Sequence, residues 1–292
     1  MTSTPIAAAY PAESRSLLSS FDFGGAVLTI FTLAFAAAWA FPLYWLLITT
    51  FKPEFEVVRP YVEFWPENFT LEAYTHVIET TRIGTWYLNS IITASSVTFI
   101  VVVTSAACGY AISQLRFPGR TLLWWIILAS FMVPIQALIV NHFLIMAGVK
   151  LLNTLPGIIL PQLIAPVVVI VYKQFFDSVP REFREAAVID GANDFQLLFR
   201  VFLPMNWGVT TALAIITFIT AWNHFLWPFL AAQTEDMMTV TVGITAVQDA
   251  FGVYYARLLA GAVLAGLPVA TVYLIFQRRV TQAIMLSAGI KG

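Results

Sequence analysis

The sequence predicts an all-α integral membrane protein, six transmembrane helices with a two-helix loop inserted ahead of the fifth, and two observations carry that fold class. The chain of 292 residues is 59% hydrophobic and 11% charged, with a mean hydropathy of +0.81, where soluble domains run near about 45–50% apolar and about 25% charged. Six apolar segments also approach or exceed the roughly 20 residues, at about 1.5 Å each, that cross a hydrocarbon layer about 30 Å thick. A net charge of -1 leaves no basic surplus for a phosphate backbone and argues against nucleic acid as a partner. The apolar excess excludes disorder. The single Cys108 permits neither an internal disulfide nor a thiolate cage and reads as a packing residue.

The predicted spans are 24–50, 88–112, 121–149, 156–176, 205–232 and 258–277, in one transmembrane domain over 1–292 with a tail at 1–23 and a loop at 177–204. The first run is too long for a signal-peptide core and is followed by no small-residue cleavage site, so it is expected to remain as a span. Lys173 near the end of the fourth must snorkel to the interface. Trp39, Trp45, Trp65, Trp86, Trp124, Trp125, Trp207 and Trp227 fall mostly near span ends and are expected to anchor at headgroup depth. With both termini cytoplasmic, Arg15, Arg116, Arg120, Lys173, Arg181, Arg184, Arg200, Arg278, Arg279 and Lys291 lie inside, ten of the fifteen basic residues.

Up to Tyr172 in the fourth, the spans contain no Asp, Glu, Lys or Arg. Each would cost about 2.5–3.5 kcal/mol at the bilayer centre and would point to ion or proton coupling. The energy source is therefore expected outside the membrane. His142 and His224, toward the outer ends of their spans, are the remaining ionisable candidates and read mainly as neutral interfacial histidines. Neither H-E-x-x-H nor G-x-S-x-G occurs, so no enzyme is expected. Without G-x-x-x-x-G-K-[ST] the chain binds no nucleotide in a P-loop, and no metal or cofactor is assigned to it.

The loop at 177–204 spells two short helices. Pro180 suits an opening turn, Glu182 favours the positive helix end, and Gly191 suits a left-handed cap. Asn193 followed by Gln196 reads as a capping box, and Pro204 marks the end of the second helix. Phe195, Leu198, Phe199 and Phe202 recur at i, i+3, i+4 and i+7, a stripe to be buried against this chain's own spans or in a partner's groove.

Glu185-Ala186-Ala187, Gly191 after three residues, and Val201-x-Leu203-Pro204 after nine more resemble the EAA loop of the permease subunits of bacterial ABC importers. Ile189-Asp190-Gly191-Ala192, the run Trp222-Asn223-His224-Phe225-Leu226-Trp227-Pro228, and the closing Gln277-Arg278-Arg279 and Gly289-Ile290-Lys291-Gly292 are similar to the carbohydrate branch, and most of all to its six-span, second-permease-like partners. His224 stands where that branch often has an acidic or amide residue. The resemblance implies a type I importer permease of the bacterial inner membrane. It implies a pair of ATP-binding subunits that carry ATP and Mg, a second homologous permease, and an extracytoplasmic solute-binding protein facing the outer segment 51–87. It places Glu185, Ala186, Ala187, Asp190, Gly191, Ala192, Phe195, Leu203 and Pro204 in the coupling loop, with Glu185 contacting the ATPase.

For the solute path, polar residues inside spans are the candidates: Gln136, Asn141, Gln162, Thr217, Thr220 and Asn223. Each can instead join neighbouring helices by a hydrogen bond of about 1 kcal/mol. Pro134, Pro161, Pro166 and Pro268 are expected to kink or break their spans. The resulting expectation is ATP-driven import of a sugar, oligosaccharide or related polyol. The rivals are an importer of another solute, such as a glycerol phosphate ester, an ion-coupled secondary carrier, and a scaffold that tethers a cytoplasmic protein.

Overall fold

A computed structural model describes the backbone of residues 23–247 and 253–287, with side chains from 24 to 247 and from 253 to 277. Arg15 and the rest of the tail, Asp249, Lys291 with the closing glycine motif, and the side chains of Arg278 and Arg279 lie outside the described residues. No strand occurs among the described residues. The chain divides into two units, Met1–Trp45 and Leu46–Gly292.

In the first unit, α1 (Phe23–Thr50, which runs on into the second) is continuous through Pro42. Aromatic rings follow each other one turn apart, Phe31 to Phe35 at 6.4 Å and Phe35 to Trp39 at 6.2 Å. The Thr29 and Thr32 hydroxyls donate back to Gly25 and Leu28 carbonyls, each at 2.8 Å, so their polar groups are satisfied within the helix. Its large side chains from Val27 to Tyr44 are exposed, as suits lipid contact.

The second unit is built on α3 (Ile83–Gln114), which packs along α7 (Pro166–Asp177) and α10 (Trp207–Trp222). At 32 residues and about 1.5 Å each, α3 keeps its two ends far apart. Helix α12 (Tyr255–Ser287) packs on α10 and on α2 (Glu72–Thr80), and like α1 it continues through its proline, Pro268. The Trp222 indole donates to Ala265 O at 3.2 Å and the Tyr87 hydroxyl to Leu264 O, tying α10 and α3 to α12.

The remaining spans are interrupted. Helix α4 (Arg120–Phe131) and the segment Ile135–Gly148, which ends in α5 (Ile139–Gly148), meet at 94°, and Leu155–Leu163, opening with α6 (Leu155–Ile159), meets α7 at 48°. Pro134, Pro161 and Pro166 supply the reason, since each lacks the donor that the preceding turn needs. The continuous fifth span expected over 205–232 is corrected. Helix α10 stops at Trp222, and α11 (Leu226–Ala231) follows after a break. Pro228 cannot donate to the His224 carbonyl four residues back, and that carbonyl accepts instead from the Thr241 hydroxyl at 3.2 Å.

At the end away from the 177–204 loop, the buried Glu56 carboxylate organises the segment after α1, accepting from the backbone and side-chain amides of Asn68 at 2.9 and 2.7 Å. Glu54 caps the start of α12 through Tyr255 N and Ala256 N at 2.8 and 3.0 Å. Asn153, at φ 58, accepts the backbone N–H groups of Gln233 and Thr234 on its Oδ1 at 2.9 and 3.0 Å. Two tryptophans expected at the headgroups are core residues instead. Trp86 and Trp227 are buried, and their indoles donate to Glu235 O and Gly157 O at 2.9 and 3.2 Å.

A Cβ on Gly243 would lie 2.1 Å from the Trp86 ring, whereas one on Gly208 would meet open space. Gly243→Ala is therefore expected to cost about 1–3 kcal/mol. Thermal unfolding in detergent should show a lowered midpoint for it and none for Gly208→Ala.

Candidate functional site

Two regions gather the residues singled out from the sequence. The first is the loop. Its opening helix, α8 (Arg181–Ile189), begins one residue later than expected, because Pro180 at ψ 139 is still extended and serves as the cap. Glu182 lies in the first turn. Gly191 has φ +80, its N–H donates to Val188 O at 3.0 Å, and the Ala192 N–H donates to Ala187 O at 2.9 Å. That pair of bonds is the Schellman closure, which an L side chain at Gly191 would strain. The capping box also forms, with Gln196 N to Asn193 Oδ1 at 2.9 Å and Asn193 N to Gln196 Oε1 at 3.0 Å.

The helix that follows, α9 (Asp194–Met205), contains a π turn over Leu198–Phe202. The wide turn precedes Pro204, which has no N–H to offer the carbonyl four residues back and whose ring would crowd that carbonyl in regular α spacing. Pro204 consequently does not end the helix. The chain stays helical to Met205 and turns by 86° at Asn206 into α10.

The π turn also rotates the aromatic stripe out of phase, so the single face expected from its spacing splits. Phe202 is 1% exposed, with its ring 5.2 Å from Tyr110 of α3 and 5.6 Å from Phe176 of α7, and Leu197 and Leu198 are buried beside it. Phe195 is 71% exposed and its ring lies 4.5 Å from Phe199. The loop is fixed further by the Tyr110 hydroxyl donating to Asp194 Oδ1 at 2.9 Å, with Arg184 Nη2 3.6 Å from the same oxygen. Beneath it α3 and α7 approach closely, since a Cβ on Gly109 would stand 2.8 Å from Tyr172 Cβ.

Glu185, Ala186, Asp190, Gly191, Phe195 and Pro204 are exposed, while Ala187, Ala192 and Leu203 are half-buried toward the spans. Ile189 at 85%, with Val188 and Phe183, continues an apolar surface outward from α8. Sequence reasoning missed Tyr110 and Phe176. Both are aromatic residues in the last turns of spans, and only the stripe on α9 pointed toward such partners.

The second region is a cavity of about 510 Å³. Four of the six path candidates line it, namely Gln136, Gln162, Thr220 and Asn223; Asn141 and Thr217 do not. The reason is the interruptions: the cavity wall is made where the third, fourth and fifth spans break, and those breaks bring Gln136, Gln162 and Asn223 together. Irregular backbone at membrane depth is tolerated where it borders such a space. Asn141 and Thr217 lie within regular helix on either side.

Phe225, Trp227, His142 and His224 line it too, with aliphatic residues such as Ile135, Ile139 and Ile219 and no Asp, Glu, Lys or Arg. The His142 and Trp227 rings meet edge to face at 5.9 Å. Gln162 Nε2 donates to Ile158 O and the Thr220 hydroxyl to Ile216 O, both at 2.8 Å. His224 Nδ1 is enclosed without a hydrogen-bond partner among the described residues. The arrangement offers amides, a hydroxyl, imidazoles and ring faces among aliphatic side chains, with no charged group in the wall.

The family described as binding-protein-dependent transport system inner membrane component matches residues 16–285. The arabinooligosaccharides transport system permease protein of Halalkalibacterium halodurans is 30% identical over 263 residues, covering 89% of this chain and 93% of its own. The diacetylchitobiose uptake system permease protein of Streptomyces coelicolor is 33% identical over 247 residues, covering 83% of this chain and 82% of its own. In fold, the chain is similar to one in a solved bacterial ABC transporter involved in the import of the acidic polysaccharide alginate, with TM-score 0.79 at 23% identity over 87% of this chain and 95% of that one.

Removing the capping box by Asn193→Ala is expected to cost about 1 kcal/mol. Hydrogen exchange of the amides at the start of α9 should then quicken by about fivefold while those in α3 stay unchanged.

Proposed function

The chain belongs to the family of binding-protein-dependent transport system inner membrane components, and from that membership we propose that it passes a neutral sugar, oligosaccharide or related polyol into the cytoplasm through the cavity at the broken spans. It is a multi-pass membrane permease and not an enzyme, as its relatives are named. ATP and Mg belong to a separate pair of ATP-binding subunits. A second, homologous permease closes the other side of the path, and a solute-binding protein delivers at the outer face. Both termini lie in the cytoplasm, in keeping with the basic residues of the loop end.

The observation that carries this reading is the two-sided build of the 177–204 loop. One side is locked to α3 and α7 through Phe202, Tyr110 and Asp194. The other leaves Ile189, Val188 and Phe195 uncovered at the surface. A knob held this way turns with the spans, so an ATPase gripping its open side can rock them as rigid bodies. Glu185, Asp190 and Gly191 sit on or beside that open side. An uncharged cavity wall disfavours a glycerol phosphate ester, which calls for cationic partners, and the absence of carboxylates disfavours an ion-coupled carrier.

Reconstitution with the co-purifying subunits and binding protein tests the proposal: oligosaccharide entry should require ATP, and entry with no ATPase present would overturn it. Glu185→Lys and Gly191→Pro should leave membrane insertion intact yet abolish ATP-dependent uptake, since proline fixes φ near -65° and removes the N–H that bonds Val188. Asn223→Ala should raise the half-saturating solute concentration by about fivefold, the loss of one hydrogen bond of about 1 kcal/mol.

A further inference from the structure

A second cavity, of about 480 Å³, lies at the loop end of the unit and is lined by Arg116, Arg120, Arg181 and Arg184 together with Ser113, Asp177 and Glu185. Its depth follows from the chain. Ser113 is in the last turn of α3, Arg120 starts α4 and Asp177 ends α7. Three helices of the spans therefore end around it.

Its positive charge is only partly cancelled locally. Asp177 is already held by Lys173 Nζ at 2.5 Å and by the Ser113 hydroxyl at 2.6 Å. Arg184 is paired with Asp194 at 3.6 Å, and Glu185 has no partner among the described residues and stands at the α8 side, so Arg116, Arg120 and Arg181 face one uncompensated carboxylate. Arg116 and Arg181 are exposed and form no ion pair among the described residues. Arg120 spends two donors on Leu115 O and Ser113 O at 3.1 and 3.3 Å. The Arg184 Nε–H is enclosed and unbonded.

We infer that this cavity binds the phosphate of an anionic lipid headgroup. Guanidinium forks match phosphate oxygens in pairs, and basic pockets between spans at the cytoplasmic surface suit such headgroups. Arg181 and Arg184 lie on α8, Arg116 between α3 and α4 and Arg120 at the start of α4, so one phosphate ties the loop to the spans beneath it. The leaflet is the cytoplasmic one if the orientation given under the proposed function holds; the phosphate site itself does not depend on that reading.

The test uses the purified transporter, this chain with its co-purifying subunits, in nanodiscs of phosphatidylcholine with or without phosphatidylglycerol. Phosphatidylglycerol retained on the complex is read by native mass spectrometry. Arg116→Gln and Arg181→Gln should each weaken retention about fivefold, the equivalent of about 1 kcal/mol per basic residue at an anionic surface. Arg200→Gln, on the same loop but outside the cavity, should not. Assembly with the ATPase subunits checks folding, and if Arg181→Gln prevents it, Arg116→Gln alone decides. Equal retention in wild type and variants overturns the proposal. Displacement of the lipid by inorganic phosphate would assign the site to soluble phosphate compounds, and loss of the lipid whenever the ATPase is bound would assign it to a partner's carboxylate; either overturns the lipid reading.

Discussion

The contact of Phe202 with Tyr110 and Phe176 holds the organisation of the second unit together. Three rings at 5.2 to 6.4 Å, packed edge to face, join the helix of the loop to the ends of two spans. Edge-to-face packing of this kind contributes about 0.5–1.5 kcal/mol per pair beyond the buried area, and here it also fixes orientation. Asp194 adds a directional bond to Tyr110 just beyond the rings. The capping box and the Schellman closure then carry that fixed orientation back to α8, so the exposed residues of the loop have a defined position relative to the bilayer.

Lipid imposes the second constraint. A backbone carbonyl that loses its helical partner must find another donor or border a polar space. The chain breaks three spans and gathers the breaks around one cavity, which places freed backbone and amide side chains along its wall. The His224 carbonyl, released by Pro228, finds the Thr241 hydroxyl. The continuous helices α3 and α12 do the opposite work and give the second unit its fixed frame.

Much of this was legible in residue order. Charge-free apolar runs announced the spans, and local chemistry announced the loop, since Gly191 and the Asn193 and Gln196 pair act through bonds only a few residues long. What was not legible depended on bonds between distant segments. The stripe of Phe195, Leu198, Phe199 and Phe202 looked like one face because a π turn leaves no periodic trace in the sequence. Trp86 and Trp227 looked interfacial because an indole at a span end serves lipid or core equally well until its acceptor, Glu235 O or Gly157 O, is known. Gln136, Gln162 and Asn223 were separable from Asn141 only once the bends at their prolines were in place.

Asn153 has a consequence for movement. Its left-handed backbone turns one amide oxygen onto Gln233 and Thr234, its own N–H reaches Ala231 O at 2.7 Å, and Trp227 holds Gly157 nearby. The stretches around 153–157 and 227–234 are thus knotted into a single block above the cavity. Any swing that widens the mouth of the cavity must carry this block whole, hinging at the break between α10 and α11.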